Sequence, residues 1–261
     1  MTKNKNIAEK NNALIGYTGF VGGNILEQKS FEELYDAENI EDIKGKEFDL
    51  IVCAAAPGIR WIANKEPEKD FYSIKRLMDN LEHVKAEKFV LISTIDVYSC
   101  VDGVNEDSPI QKDSLLPYGK HRRILEEFIE NRFNSTIIRL PGIFGKGLKK
   151  NIIYDFLYNS FEFIHQDGIM QFYYLDHIWR DISKSLENNL KVINFATEPI
   201  SVKELSKEVF GIDFINNLTS PAPYYDMHTK YGYLWGSNSP YLYSKSKVLK
   251  YIKLFVENFK K

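Results

Sequence analysis

A tyrosine and an arginine stand four residues apart at the start of a segment whose apolar spacing predicts a helix. They are Tyr118 and Arg122, in the run PYGKHR at 117–122. Side chains at this spacing share one helix face, and a cation beside a phenol favours the tyrosinate form. The pair could therefore accept and release a proton. The alternative is that Arg122 forms a surface ion pair with Glu126.

Hydroxyl and carboxyl groups follow an apolar stretch earlier in the chain. The stretch FVLI at 89–92 leads into Ser93, Thr94 and Asp96. In open α/β sheets, ligands bind at the carboxyl ends of the strands. Thr94 and Asp96 are therefore candidate site residues, although serine and threonine also end strands without any further role.

Three glycines stand at three-residue spacing between a predicted strand and a predicted helix. They are Gly16, Gly19 and Gly22, in the run ALIGYTGFVGG at 13–23. In a dinucleotide-binding loop the first glycine permits a tight turn, the second lets the backbone approach a pyrophosphate, and the third lets the helix pack on the strand. The helix N-terminus then faces the anion. In this strand–loop–helix context the spacing indicates a dinucleotide site.

An acidic residue, Asp36, lies twenty residues after Gly16, at the end of the second predicted strand. A carboxylate there can accept hydrogen bonds from the adenosine ribose hydroxyls, whereas a 2′-phosphate would need arginine or lysine. Asp36 thus favours NAD over NADP. The alternative is an ordinary turn aspartate.

The elements that must position these residues alternate along the chain. Short apolar runs alternate with amphipathic stretches of helix length from residue 12 onward, which is typical of βαβ units. We predict an α/β fold, a Rossmann-type doubly wound parallel sheet, in which one helix–strand pair is shortened to Ile40–Lys46. The predicted strands are Asn12–Ile15, Glu33–Tyr35, Phe48–Ala54, Lys88–Ser93, Thr136–Leu140 and Val192–Ala196. The predicted helices are Phe20–Gln28, Pro67–Val84, Tyr118–Arg132, Asn151–Asn159, His177–Asn188, Val202–Phe210 and Ser244–Phe259.

The chain divides into three predicted parts. These are a polar tail at 1–10, a cofactor-binding Rossmann-like domain at 11–210 with substrate-loop insertions from about 146, and a C-terminal substrate or cap segment at 211–261. Residues 221–243 hold six tyrosines, Trp235, three prolines and two glycines. Aromatic side chains mostly fill cores, so a loop-rich extension anchored by aromatic packing is the simpler interpretation. A cap over a substrate pocket is the functional one.

Composition excludes several classes of protein. The 34 Lys and Arg nearly balance the 36 Asp and Glu, which argues against nucleic-acid and membrane partners. No apolar window reaches the roughly 18 residues of a membrane-spanning helix. The two cysteines cannot form a disulfide framework and the five histidines are scattered. We therefore expect a cytoplasmic protein without a metal site.

Taken together, these motifs resemble the extended short-chain dehydrogenase/reductases that act on nucleotide-linked sugars as epimerases, dehydratases and ketoreductases. The resemblance rests on the glycine loop, CAAA at 53–56, ST and VY at 93–98, PYG at 117–119, and IRLPGIFGKG at 138–147. It implies that Tyr118 is the proton-transferring acid/base and that Thr94 hydrogen-bonds the reacting oxygen. Arg122 completes the expected catalytic set.

The resemblance and the loop together also imply a set of binding contacts. The expected cofactor is NAD, contacted by Gly16, Thr18, Gly19, Phe20, Val21, Gly22, Asp36, Ala54, Ala55, Ala56, Tyr118, Arg122 and Pro141. The expected partner is a nucleotide-sugar substrate, contacted by Asp96, Lys146, Lys149 and Asn151. The sequence does not decide whether two copies of the chain form a homodimer.

This sequence departs from the family pattern at three places. Arg122 stands where the family has lysine, and a guanidinium does not deprotonate in proteins. The stretch 168–176 lacks the arginine with which many members hold the substrate diphosphate, a role that Lys146, Lys149 and Lys150 could take. The dehydratase triplet Thr-Asp-Glu is replaced by Thr94-Ile95-Asp96, which argues against dehydration.

We therefore expect an NAD-dependent ketoreductase or epimerase acting on a nucleotide-activated sugar. Two alternatives follow from the departures and from the aromatic segment. One is an NAD-binding sensor or regulatory protein of the same fold that has lost turnover. The other is a scaffold subunit that uses the tyrosine-rich segment to bind another protein.

Overall fold

The computed structural model describes residues 11–259, so the predicted tail at 1–10 lies outside the described residues. The strands along the chain are β1 Asn12–Ile15, β2 Glu33–Tyr35, β3 Glu47–Cys53, β4 Lys85–Thr94, β5 Ser135–Leu140, β6 Gly142–Phe144, β7 Ile169–Met170, β8 Phe172–Tyr174, β9 Val192–Asn194 and β10 Ile200–Ser201. The central sheet has six parallel strands, in the order β2-β1-β3-β4-β5-β9. The helices are α1 Phe20–Leu26, α2 Arg60–Lys65, α3 Pro67–Leu81, α4 Pro117–Arg132, α5 Ile152–Leu157, α6 Ile178–Glu187, α7 Val202–Leu205 and α8 Lys245–Phe259.

The sheet confirms the predicted doubly wound fold. All six predicted strands belong to it, and the shortened segment contains only the 3₁₀ helix Ile40–Ile43. The strand order reverses between β1 and β3, and the carboxyl ends of these strands flank the crevice where open α/β sheets bind ligands. All seven predicted helices are present, although the sixth, predicted at Val202–Phe210, is a short α7 continued by a π-helical turn. The six-residue α2 was not predicted.

Side chains of each central strand alternate between two hydrophobic clusters, one on each face of the sheet. In β1, Leu14 faces one cluster while Ala13 and Ile15 face the other. The C-terminal α8 packs into the cluster that contains Leu14, through residues such as Ile252. The end of the chain therefore shares its core with the sheet. No helix among the described residues is long and apolar enough to cross a membrane.

A buried carboxylate anchors the aromatic C-terminal segment. Asp181 on α6 is 0% exposed, and its Oδ2 accepts hydrogen bonds from the hydroxyls of Tyr173 at 2.7 Å and Tyr243 at 2.5 Å. Its Oδ1 accepts from Trp235 Nε1 at 3.1 Å and from Arg180 Nε at 3.0 Å. The aromatic residues of the segment thus serve as donors to the core, which supports the packing interpretation.

A second buried carboxylate holds α4 against the sheet. Glu126 is 0% exposed, and Arg139 on β5 donates to it from Nε at 3.0 Å and from Nη2 at 2.7 Å. Ser93 on β4 donates to the same carboxylate at 2.5 Å, and Arg123 donates at 2.8 Å. Two strands and one helix therefore meet at a single ion pair, which fixes the rotation of α4 about its axis.

Replacing Arg139 by methionine should destabilise the protein by about 3–5 kcal/mol, because it leaves a buried carboxylate without its bidentate partner. Denaturant unfolding followed by circular dichroism measures this free energy. Lys75→Met is the matched control, because it breaks the exposed pair between Lys75 and Asp79 at 2.7 Å and should cost less than about 1 kcal/mol. Equal losses of unfolding free energy in the two variants would contradict the stabilising role of the pair between Glu126 and Arg139.

Candidate active site

Helix α4 begins in close contact with the loop that follows β4, and Gly119 makes this contact possible. A Cβ atom at Gly119 would lie 1.9 Å from the carbonyl oxygen of Asp96, a distance that no side chain tolerates. The preceding residue, Tyr118, donates its backbone N–H to Asn64 Oδ1 on α2 at 3.0 Å. The glycine therefore brings Tyr118 beside Thr94 and Asp96, three residues that the sequence predicted to share a site.

The Tyr118 phenol lies among groups with opposing electrostatic effects. Burial raises the pKa of Tyr118, the positive charge of Arg122 opposes this rise, and the negative charge of Asp96 adds to it. The Thr94 hydroxyl beside the phenol also lowers the pKa of Tyr118. The guanidinium carbon of Arg122 lies 4.0 Å from the centre of the tyrosine ring, within cation–π range. The predicted pairing of Tyr118 with Arg122 on one helix face is therefore present.

The partner of Arg122 is a carboxylate that sequence reasoning missed. Arg122 is 2% exposed and forms a two-pronged ion pair with Asp70 on α3, with Nη1–Oδ2 at 2.5 Å and Nη2–Oδ1 at 2.8 Å. The same two nitrogens also donate to the carbonyl oxygens of Tyr118 and Pro57. The alternative surface pair with Glu126 is wrong, because Arg123 takes that position at 2.8 Å. Arg122 Nε is buried without a hydrogen-bond partner.

Asp96 also has a partner from a distant part of the chain. Its Oδ1 lies 3.1 Å from Nη1 of Arg60, on the helix α2 that was not predicted, and its Oδ2 accepts a hydrogen bond from the Thr94 hydroxyl at 3.2 Å. Arg60 Nη1 donates in turn to the hydroxyl of Tyr225 at 2.8 Å. Burial raises the pKa of the Asp96 carboxyl, and Arg60 opposes that rise. Arg60 is thus the centre of a polar bridge that joins the loop after β4, through Asp96, to the C-terminal segment, through Tyr225.

The glycine loop has the geometry that its sequence predicted. Gly16 has a φ of 86° and donates its N–H to the Tyr35 carbonyl at 2.7 Å, and a Cβ atom there would lie 2.7 Å from the Ala54 backbone. A Cβ atom at Gly22 would lie 2.0 Å from the Gly16 carbonyl oxygen. Both positions must therefore be glycine for the fold itself. Gly19 is exposed and its nearest obstacle would be 3.2 Å away, so the fold alone does not require glycine there.

Asp36 lies next to this loop, at the carboxyl end of β2. Its Oδ1 accepts a hydrogen bond from the Glu38 N–H at 2.9 Å, and its own N–H donates to Asn39 Oδ1 at 2.7 Å. These bonds are those of a turn aspartate. Among the described residues Oδ2 has no hydrogen-bond partner, so the same side chain can still accept a bond from a ligand.

The residues after β6 that were predicted to contact the substrate differ in their surroundings. Asn151 caps α5, since its Oδ1 accepts from the Ile153 N–H at 2.9 Å and its Nδ2 donates to the Ile143 carbonyl at 2.8 Å. The ammonium of Lys146 is exposed and pairs with Glu27 at 2.6 Å. Lys149 is exposed. The structure contains no group of three His, Cys, Asp or Glu residues that could hold a metal within 11–259.

Lys150 is the lysine of this loop that reaches the loop following β3. Its Nζ donates to the Gly58 carbonyl at 2.6 Å, next to the Pro57 carbonyl that Arg122 contacts. Burial lowers the pKa of Lys150. The glycine loop, Tyr118 and Lys150 therefore all lie beside the segment that leaves β3, at one edge of the sheet.

Neither a family model nor a curated protein matches the chain, but solved structures do. UDP-glucose 4-epimerase from Thermotoga maritima has a TM-score of 0.73 at 17% identity, over 96% of this chain and 98% of that one. A dTDP-4-dehydrorhamnose reductase from Clostridium acetobutylicum has a TM-score of 0.72 at 17% identity, over 96% and 100%. An NAD-dependent NDP-hexosamine 5,6-dehydratase of tunicamycin biosynthesis has a TM-score of 0.75 at 17% identity, over 96% and 98%. This chain has the fold of these enzymes.

Replacing Gly119 by alanine should destabilise the protein by roughly 1–3 kcal/mol, the usual range for overpacking, because α4 must move away from Asp96. Gly23→Ala is the matched control in another helix, where the added Cβ would meet its nearest atom at an ordinary 3.6 Å. Thermal and denaturant unfolding of both variants measure the difference. A Gly119→Ala protein as stable as Gly23→Ala would contradict the close approach.

Proposed function

We propose that this protein is an NAD-dependent enzyme that reduces or epimerises a nucleotide-activated sugar, with Tyr118 as its acid/base. The observation that carries the proposal is the placement of two independent motifs at one edge of the sheet. The glycine loop follows β1, and Tyr118 and Thr94 meet at the end of β4. Hydride transfer at a carbinol carbon needs this combination of a dinucleotide site and an acid/base.

The residues at the crevice fit a dinucleotide. Gly16 and Gly22 are glycine because the chain crosses itself closely, whereas Gly19 keeps an exposed backbone that a pyrophosphate can approach. Asp36 offers Oδ2 to ribose hydroxyls. The buried Nε–H of Arg122, which has no protein partner, offers a donor near Tyr118. Bound NAD would supply the hydride acceptor or donor.

The acid/base chemistry then falls to two hydroxyl groups. Tyr118 exchanges a proton with the sugar hydroxyl that becomes, or is formed from, a carbonyl. Thr94 orients the same oxygen by hydrogen bonding. Arg122 cannot take the proton further because a guanidinium stays charged. Water elimination needs a second acid and base, and here Ile95 has no ionisable group while Asp96 is paired with Arg60. Reduction or epimerisation is therefore favoured over dehydration.

The nucleotide-sugar class comes from similarity rather than from a contact in this chain. The epimerase and the reductase of the same fold are named for UDP-glucose and dTDP-4-dehydrorhamnose, respectively. The substrate diphosphate would meet the lysines of the loop after β6, among them Lys146 and Lys149. Lys150 is bonded to the Gly58 carbonyl and would have to exchange that bond for a phosphate oxygen.

One observation favours a second candidate function, a cofactor-binding sensor without turnover. Both terminal nitrogens of Arg122 are held by Asp70 and by backbone carbonyls, so only Nε is left for a ribose. An arginine held in this way suits a protein that binds NAD but turns over no sugar.

Wild-type protein should bind NADH more tightly than NADPH, and Gly19→Val should bind neither measurably, because the added methyl groups occupy the path of the pyrophosphate. Isothermal titration calorimetry measures both affinities. Gly23→Ala is the control and should bind as wild type does. Tighter binding of NADPH would overturn the role of Asp36, and unchanged binding by Gly19→Val would overturn the loop assignment.

Tyr118→Phe should slow turnover by roughly 10²–10⁴-fold, the usual effect of losing a general acid/base. The assay incubates the protein with NAD(H) and a panel of nucleotide sugars that includes 4-keto-6-deoxy forms, and follows products by mass and NMR. Tyr72→Phe, an exposed tyrosine on α3, is the control. Water loss from a nucleotide hexose would contradict the reaction class. Tight NAD binding with no product from any sugar would favour the sensor.

A further inference from the structure

Two arginines lie near the Tyr118 phenol, and each has its own carboxylate. The guanidinium carbon of Arg122 is 4.0 Å from the centre of the ring, and Arg60 interacts electrostatically with the phenol. Arg122 is paired with Asp70 at 2.5 and 2.8 Å. Arg60 is paired with Asp96 at 3.1 Å. The two positive and two negative charges come from four different segments, namely α4, α3, α2 and the loop after β4. The immediate surroundings of the phenol are therefore close to neutral, even though two arginines lie near it.

We propose that Asp70 and Asp96 are positioning residues that neutralise these arginines and so keep Tyr118 protonated, as a proton donor to a carbonyl oxygen. The inference rests on the proposed role of Tyr118 as acid/base and extends it to the direction of proton transfer. It also gives Asp70, which no sequence motif contains, a function in the site.

The physical argument concerns net charge rather than the presence of a cation. An unpaired cation within about 4–6 Å stabilises tyrosinate and lowers the pKa of a tyrosine. A cation bound to a carboxylate acts as a dipole, so its attraction for a nearby anion is largely cancelled. Asp70 takes two N–H groups of Arg122, and Asp96 is the carboxylate that faces both Arg60 and Thr94.

The other charged and titratable groups around this cluster do not restore a net positive charge by themselves. His121 on α4 lies with Nδ1 2.7 Å from Asp70 Oδ2. The hydroxyl of Tyr225 accepts a hydrogen bond from Arg60, and Lys150 is bonded to the Gly58 carbonyl. The direction of the Tyr118 pKa agrees with this balance, since burial, Asp96 and Asp70 all raise it while Arg122 and Thr94 lower it.

A protonated phenol suits ketone reduction. Tyr118 would give its proton to the carbonyl oxygen while a hydride from the reduced nicotinamide forms the new C–H bond. The π electrons of the carbonyl move to oxygen, the ketone becomes an alcohol, and the cofactor is oxidised. The tyrosinate left behind regains a proton from water. One hydride and one proton are consumed for each alcohol formed.

The test measures the protonation of Tyr118 directly, with neither cofactor nor substrate present. Protein labelled with ¹³C at the tyrosine Cζ is titrated by NMR, and the resonance missing from Tyr118→Phe identifies Tyr118. The wild-type midpoint should lie above the ordinary value of about 10. Asp96→Asn should lower the midpoint by about one unit or more, because it leaves Arg60 unpaired near the phenol. Asp79→Asn, which alters an exposed pair on α3, should leave it unchanged.

A second pair of variants tests Asp70. Asp70→Asn should lower the Tyr118 midpoint, and the double variant Asp70→Asn/Arg122→Met should return it towards wild type, since both charges are then gone. Circular dichroism checks that each variant is folded. If Asp70→Asn does not fold, the Tyr118 midpoints of Asp96→Asn and of the double variant test the proposal.

The proposal is overturned by a wild-type midpoint below about 10, or by an unchanged midpoint in Asp96→Asn. Because no substrate is used, this result is independent of the turnover assay. A protein that titrates as expected but converts no sugar would refute the proposed function and leave the charge arrangement standing.

Discussion

The ion pair between Glu126 and Arg139 is the interaction on which the rest of the site depends. It joins α4 to β5, and Ser93 extends it to β4. The side of α4 that faces the sheet is thereby fixed. One turn before Glu126 the same helix presents Arg122 to α3, and two turns before it presents Tyr118 to the end of β4. Because a buried charge without its partner is costly, alternative rotations of the helix are excluded. A purely apolar helix face would leave that rotation less sharply defined.

Local patterns in the sequence were sufficient to predict most of the fold. Short apolar runs such as FVLI at 89–92, separated by amphipathic stretches of helix length, are typical of buried strands between helices. The glycine loop was equally predictable, because a side chain at Gly16 or Gly22 would clash with the backbone and because the three-residue spacing places Gly19 on the exposed side of the turn. Helix α2 was missed because its six residues, RWIANK, are too few to show a helical period. Asn151 could have been identified as a cap from its place before an apolar helical run.

The partners of the site residues could not be predicted in the same way. Asp70 and Arg122 are 52 residues apart, and Arg60 and Tyr225 are 165 apart. Nothing in the local sequence marks such pairs. The expected pairing of Arg122 with Glu126 followed the usual rule for exposed helices, but α4 is not exposed on that side. Arg122 pairs with Asp70 on α3, and Glu126 pairs with Arg139 on the sheet. Fold similarity does not supply these pairs either, since an epimerase, a reductase and a dehydratase share this backbone arrangement.

The anchoring of the aromatic segment has a consequence for how the protein can change. Phe214 packs against Phe156 in the core, and beyond Tyr225 the chain is fixed again through Trp235 and Tyr243 at Asp181. Between these points, Asn216 donates to the carbonyls of Phe161 and Ile164, and the Pro223 carbonyl accepts from the Ile169 N–H. Residues 218–222, which lie between these bonds, are mostly exposed and contain neither helix nor ladder strand. Insertions or deletions there would leave the hydrophobic clusters intact. The same stretch leads through Pro223 and Tyr224 to Tyr225, whose hydroxyl accepts a hydrogen bond from Arg60. A change in the length of this stretch would therefore reshape the rim of the crevice at little cost in stability.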